Sequence, residues 1–257
     1  MKRLTYVSQN VNTWNNKKNE NITQFELECS SCSATDSFSL KNNNTIWRWE
    51  IHIPYDWEYG QWERIRLYPV EVQILIVECL ACGEKFRVYP SFVVEGTTLT
   101  QSALIFIAFA YESSDLTWRD LPEKFCDQNN KIAHSTLYKA VHGLGKSILE
   151  NEQVRKELNA LTAKYLPAKE EPTSNWPPPK SLSERTINRE NALRETIYPL
   201  NDPTVSFTHF FYRYLRQLST VLSLLNPPVQ LIYQNRIDIT SPPSSLANSE
   251  TQKACWK

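Results

Sequence analysis

Cys29-Ser-Ser-Cys32 and Cys79-Leu-Ala-Cys82-Gly83-Glu84-Lys85-Phe86 decide how this chain is read. Each begins with a Cys-x-x-Cys turn, whose two intervening residues let both sulfurs reach one ion while backbone N–H groups stabilise their charge. Two such knuckles facing each other supply four thiolates at tetrahedral geometry. Cys29, Cys32, Cys79 and Cys82 are therefore expected to hold zinc in a small antiparallel zinc ribbon. Gly83 stands where a knuckle needs a residue that tolerates positive φ. A closed four-cysteine set leaves no open coordination position, so this zinc is expected to be structural. Two unrelated reduced pairs, or two disulfides, are the competing readings. The doubled spacing and the lack of any sign of secretion favour metal.

The chain has 257 residues, with 28 Lys+Arg against 28 Asp+Glu, but the charge is unevenly distributed. Between Asn21 and Glu95 acidic residues outnumber basic ones, and four thiolates add further negative charge, which argues against a ribbon that binds phosphates. From Gln128 to Leu149 there is no acidic residue, while Lys131, Lys139 and Lys146 are present with His134 and His142. The N-terminus lacks the apolar run of a signal peptide, and the most apolar stretch, Ser102 to Tyr111, is too short to cross a bilayer. A cytoplasmic, nucleoid-associated protein without membrane contact is expected, in a reducing compartment that favours metal over disulfides. Cys126 and Cys255 are left over, one as a buried thiol and one in the tail.

Working outward from the knuckles gives an α+β chain. Residues 1–22 are polar and Asn/Lys-rich and read as a flexible arm. The zinc-ribbon domain is expected over 23–95, with strands at Phe25–Cys29, Ile46–Ile53, Glu63–Glu78 and Phe86–Tyr89. Trp47, Trp49, Tyr55, Trp57, Tyr59 and Trp62 crowd its middle. The acidic residues among them favour core packing, or a protein contact, over base stacking. A three-helix domain follows over 96–166. Its first helix is Gln101–Glu112, Thr117-Trp-Arg-Asp120 has the form of a capping box opening the second, and Ser135 is expected to cap the third. Leu137, Val141, Leu144 and Ile148 face the core, which leaves Thr136, Lys139 and His142 towards solvent, and helicity is expected to continue to about Leu166. A Pro-rich linker (167–182), a helical extension (183–226) and a disordered tail (227–257) complete the chain.

Three helices with a basic, acid-free third suit a helix-turn-helix, whose third helix enters the major groove of duplex DNA. Ser135, Thr136, Tyr138, Lys139 and His142 are the candidate contacts. An ordinary three-helix packing unit with a solvated basic face is the plainer reading. The order of parts also matters. Cys29-Ser-Ser-Cys32, the run from Val77-Glu-Cys79-Leu-Ala-Cys82-Gly-Glu-Lys-Phe86 to Pro90-Ser-Phe92, Thr117-Trp-Arg-Asp-Leu121 and Ser135-Thr-Leu-Tyr-Lys139 carry a resemblance over roughly residues 25 to 150. Through them the chain resembles an uncharacterised family of bacterial proteins with an N-terminal zinc ribbon and a following helix-turn-helix, often linked to transposable elements. The resemblance implies a DNA-binding protein associated with a mobile element. Pro122 inside the second helix and the long turn from Cys126 to Ala133 depart from that pattern.

No catalytic role is expected. His52, His134, His142 and His209 lie apart, Glu190 and Glu195 read as a solvated face, and Asp202 reads as a helix cap. Gly145-Lys146-Ser147 matches the end of a phosphate loop, but Ala140 stands where the first glycine belongs. The alternative function is a protein-interaction module of a transposition or transcription complex, with a transposase or other protein as partner. Asp202-Pro203 opens a strongly amphipathic helix, and a homodimer through 203–225 is one expectation. Packing of the same face on Leu158, Leu161 and Tyr165 is the other.

Overall fold

The computed structural model describes residues 11–16, 27–29, 31–35, 37–90, 92–165, 178–181, 183–201, 206–225 and 231–232. The chain is α+β and divides into two compact units. One comprises Met1–Trp47, Glu71–Phe92 and Pro227–Lys257, the other Arg48–Val70 and Val93–Asn226. The expected domain 23–95 is therefore split, with its aromatic middle counted among the helices.

The first unit is built on β1 (Phe38–His52), β2 (Arg66–Cys79) and β3 (Lys85–Pro90), and β1 and β2 each also contribute to the second unit. Strand order is β1-β2-β3-β4, where β4 is Leu231–Ile232. The β2–β3 hairpin is antiparallel, in the register Leu75↔Val88 and Val77↔Phe86. Period-two alternation sends Val72 and Ile74 to one face and Leu75, Val77 and Cys79 to the other, and all five are buried. β4 pairs parallel with Tyr89 and Pro90, so this part of the expected disordered tail is a strand.

The expected flexible arm is also ordered in part. Val11–Asn16 forms α1, with Val11 and Trp14 buried. Trp14 Nε1 donates to Gln73 O at 2.7 Å, Asn15 Nδ2 donates to Glu71 O at 2.7 Å, and Gln73 N donates to Asn15 Oδ1 at 3.2 Å. The two side chains thus satisfy β2 backbone groups outside its register with β3, as a neighbouring strand would.

The second unit contains α2 (Gln101–Ser113), α3 (Asp120–Phe125), α4 (His134–Glu150), α5 (Glu152–Thr162), α6 (Glu184–Ile197) and α7 (Phe207–Leu222). Every residue of α2 is buried, as the unbroken apolar run Ala103–Tyr111 in its middle requires. Thr100 caps it by accepting from Ala103 N, and donates its own hydroxyl to the carboxylate of the half-buried Glu50 at 3.1 Å. The aromatic residues read as part of the ribbon pack on this helix. Trp57 and Trp62 lie 6.0 and 6.2 Å from the Phe106 ring, and Phe207 lies 4.5 Å from Trp57. Core packing accounts for these two tryptophans, whereas Trp47, Tyr55 and Tyr59 are exposed.

Several local expectations change. Helicity breaks at Asn151, whose side chain accepts from Val154 N at 3.0 Å and caps α5. α4 starts at His134 with Ala133 at its N-cap, so Ser135 lies inside the first turn and does not cap it. Thr117 donates its N–H and hydroxyl to Asp120 Oδ2 at 2.8 and 2.7 Å, holding that carboxyl below its usual range. Because α3 begins at Asp120, Pro122 falls in the first turn, where a missing N–H removes no helix bond. Residues 202–205, including the proposed cap at Asp202 and Pro203, lie outside the described residues. The apolar face of α7 is buried in its own unit. Phe211, Tyr214 and Leu218 are inaccessible, Tyr165 packs on Phe210 and Tyr214, and Tyr214 Oη donates to Thr196 O at 2.6 Å. The expectation of a homodimer through 203–225 loses its physical premise, since the face that needed a partner already has one.

α4 packs chiefly on α6, and also on α2 and α5. Gly145 permits the approach to α6. A Cβ there would lie 2.7 Å from the backbone oxygen of Arg189 and 3.0 Å from Leu193 Cδ1, whereas one at Gly143 meets nothing within 4 Å. This also disposes of the phosphate-loop match, because Gly145-Lys146-Ser147 is mid-helix. Gly145→Ala should destabilise the protein by roughly 1–3 kcal/mol through overpacking. Gly143→Ala should be neutral or stabilising by up to about 1 kcal/mol through helix propensity. Urea denaturation of the two variants checks the contrast, and equal effects would contradict this packing.

Candidate metal centre

The four cysteines of the two knuckles come together in the first unit. Their sulfurs all lie within 4.8 Å of one another. Cys29 Sγ is 3.6 Å from Cys82 Sγ, and Cys32 Sγ is 3.5 Å from Cys79 Sγ. A tetrahedral ion with metal–sulfur bonds of about 2.3 Å separates its ligands by about 3.8 Å. The four side chains thus fit one metal ion without rearrangement of the backbone.

The two knuckles are built alike. In the first, Ser33 N donates to Cys29 O at 2.8 Å and Cys29 N donates to Ala34 O at 2.9 Å. In the second, Gly83 N donates to Cys79 O at 2.8 Å and Cys79 N donates to Glu84 O at 2.9 Å. The residue after the second cysteine has positive φ in both, 58° at Ser33 and 76° at Gly83. Glycine at 83 announces this turn in the sequence, while Ser33 adopts the same conformation at some steric cost. Cys29 and Cys79 are buried and Cys32 and Cys82 exposed, so each knuckle offers one sulfur from inside and one from the surface.

Cys29 and Cys82, one from each knuckle, are shifted in opposite directions. Burial raises Cys29, but the N–H groups of Ser31 and Cys32 and the neighbouring thiols outweigh it and bring it to about 7. At Cys82 the Glu84 N–H works downward, yet contacts with the other three sulfurs, together with burial, push the thiol up to about 12. A divalent cation removes this conflict by charge neutralisation. Lys41 pairs with Glu78 at 2.9 Å beside the second knuckle, and Phe38 packs edge-on against Phe86 at 5.5 Å. Cys126 is half-buried in the second unit and takes no part.

The candidate DNA contacts are all on α4 but do not share one environment. Ser135, Tyr138 and Lys139 are exposed and Thr136 is half-buried. His142 is only 3% exposed, so its expected solvent-facing position is corrected. Its ring lies 4.2 Å from Tyr138 and 5.6 Å from Trp118, and neither ring nitrogen has a hydrogen-bond partner. Burial holds it below the usual histidine value, favouring the neutral ring.

The sequence reading missed a buried polar cluster in the same unit. Glu190, expected on a solvated face, is fully buried and accepts from the Ser181 hydroxyl. Arg194, one turn on, lies 3.3 Å from Glu112 Oε2. Lys180 Nζ donates to Tyr111 O and Leu116 O at 2.6 and 2.7 Å and sits 4.3 Å over the Tyr111 ring, which stacks on Trp118 at 3.9 Å. One signal was available. A helix that is apolar on every face must bury whatever charge it carries, and Glu112 is the acid at the end of such a run.

No family model matches the chain, and no curated protein or solved structure is significantly similar to it. Among the described residues, no helix is long and apolar enough to cross a membrane.

Burial, with Glu190 next, pushes Glu112 up to about 7 against the opposing pull of Arg194. An acid whose folded-state value is raised favours folding most below its unfolded value, and that contribution is lost as pH climbs through the folded one. The stability attributable to Glu112 should therefore fall from about pH 4.5 to about 7. Its slope approaches roughly 1.4 kcal/mol per pH unit at most. Glu112→Gln should flatten this part of the profile in urea titrations, and an unchanged slope would show that Glu112 ionises normally.

Proposed function

We propose that this is a zinc-containing duplex-DNA-binding protein whose contacts come from the exposed N-terminal half of α4, with the four-thiolate zinc serving structure alone. The observation that carries the DNA reading is the exposed array of Ser135, Tyr138 and Lys139 on a helix within a stretch free of acidic side chains. Lys139 has no ion pair among the described residues, whereas Lys131 is paired with Glu123 at 2.6 Å and Lys146 lies 3.7 Å from Glu150. An unpaired ammonium on an exposed helix is the kind of group that replaces condensed counterions on phosphate. His142 is withdrawn from the contact set and treated as a packing residue, and Thr136 remains at the margin. The mobile-element association rests on the family resemblance. α3 is short, and α4 leans mainly on α6, so the proposed contact surface is α4 itself and does not depend on a tight helix-turn-helix pairing.

Lys139→Glu should weaken binding to duplex DNA several-fold and lower the dependence of log K on log salt by about one unit per lost phosphate contact. Lys85→Glu, on β3 among the acidic residues of the first unit, should change little. Equal effects of the two substitutions, or no binding at low salt, would refute the reading.

Zinc is favoured over other metals because four thiolates in a tetrahedral set suit a borderline-soft ion without geometric preference. Metal analysis of the reduced protein should find one zinc per chain, retained in Cys126→Ser. Chelation should unfold the first unit, because forming such a site and folding are coupled. Ordered, metal-free protein would overturn this part alone.

A second reading, the protein-interaction module, is favoured by exposed apolar residues of the first unit. Leu80 at the tip of the second knuckle is 64% exposed and Trp47 is 60% exposed, with Leu40 exposed as well. Under that reading the partner is another protein of a transposition or transcription complex, and DNA affinity is absent.

A further inference from the structure

The four-cysteine site has a second chemistry available to it. Each knuckle pairs a buried cysteine with an exposed one, and the two sulfur–sulfur contacts of hydrogen-bond length both run across the knuckles, each joining an exposed sulfur to a buried one. We propose that the site is an oxidant-responsive modification site, in which a peroxide converts it to the disulfides Cys29–Cys82 and Cys32–Cys79. This rests on the zinc reading for its starting state, and the cross-knuckle distances of 3.6 and 3.5 Å are what the pairing itself rests on.

The chemistry follows from exposure and distance. A peroxide reaches only the outward sulfurs, Cys32 and Cys82. Attack by one of these, held as a thiolate in the metal-loaded protein, on the peroxide O–O bond forms a sulfenic acid and, with a proton from solvent, releases one water. The buried partner, Cys79 or Cys29, stands 3.5 or 3.6 Å away and attacks the sulfenic sulfur, forming the S–S bond and expelling the second water. Each disulfide thus consumes two thiolate ligands, one peroxide and two protons from solvent, and yields two waters. The sulfurs must close by on the order of 1.5 Å to reach bonding distance, within the reach of side-chain rotation. A bound divalent ion loses its thiolate ligands and leaves.

The pairing matters for the product. A bond within one knuckle would close a loop between residues three apart and leave the knuckles free of each other once the metal has gone. The crossed bonds join positions 53 and 47 residues apart, so they replace the metal as the tie between the first knuckle and the β2–β3 hairpin. The oxidised first unit would therefore stay folded after losing its ion.

Reduced full-length protein, loaded with zinc, is treated with two equivalents of hydrogen peroxide. Released metal is read with a chromogenic chelator, and thiols are trapped before non-reducing tryptic digestion. The cysteines of each knuckle share one tryptic peptide, 19–41 or 67–85. The expected product is these two peptides joined, with tandem fragmentation assigning Cys29–Cys82 and Cys32–Cys79, and metal release complete. Cys32→Ser should still yield Cys29–Cys82 and leave Cys79 reduced. Separate peptides each lighter by two hydrogens, a Cys29–Cys79 with Cys32–Cys82 pairing, or sulfinic acids without any cross-link would overturn the proposal. Metal-free reduced protein run alongside separates the two readings. A crossed disulfide there, in a chain that never takes up zinc, supports the redox site while sinking the metal assignment.

Discussion

Because α2 has no solvent-facing side, the helical unit must be assembled around it. A thirteen-residue helix buried at every position needs cover from all directions. It receives that cover from the tryptophans of 48–70, from the apolar faces of α4, α6 and α7, and from Phe125 at the end of α3. The same constraint explains the close approach of α4 and α6 at Gly145, since neighbours of a wholly buried helix must also pack tightly on each other. It also explains why Glu50 is drawn to the N-terminal end of α2, where the Thr100 and Ser102 hydroxyls and the helix dipole compensate for its burial.

Glu112 belongs to that helix too and inherits its burial. The response is a polar cluster within an apolar unit, with Arg194 against Glu112, Ser181 against Glu190 and Lys180 bound to two carbonyls beside an aromatic stack. Lys180 and Ser181 hold the end of the Pro-rich segment to this cluster. The segment's last residues are thereby part of the helical unit and not free linker. One oxygen of Glu112 and both nitrogens of His142 have no hydrogen-bond partner among the described residues, so the polar groups of this part of the interior are only partly satisfied.

The first unit follows a different logic. Its sheet is small and carries exposed apolar residues, so it gains from a cross-link between segments distant in sequence. The two knuckles bring four thiols together where a metal ion would supply it, and each is the same backbone device, a hydrogen-bonded turn closed by a residue of positive φ. The alternation of buried and exposed sulfurs comes directly from that turn. It gives the site two faces, one towards the core and one towards solvent.

The sequence by itself determined what depends on local spacing and periodicity. The two Cys-x-x-Cys turns, the α+β class, the positive φ at Gly83, the strand running into Cys79 and the amphipathic faces of α4 and α7 were all legible, because each is set by neighbours a few residues apart. Tertiary structure alone decided which faces meet. Period-two alternation could not say that 48–70 belongs with the helices and not with the four-cysteine unit, and helical periodicity could not say that α7 finds its cover on α2 and α5. His142 and Glu190 look solvent-facing within their own helices, but both are buried where the helices pack against their neighbours. Trp14 and Asn15, in a polar arm with no pattern, became edge cover for β2 through bonds to residues 59 and 56 positions away. Burial of a charged or polar group is a property of the assembled neighbours, and no local pattern encodes it.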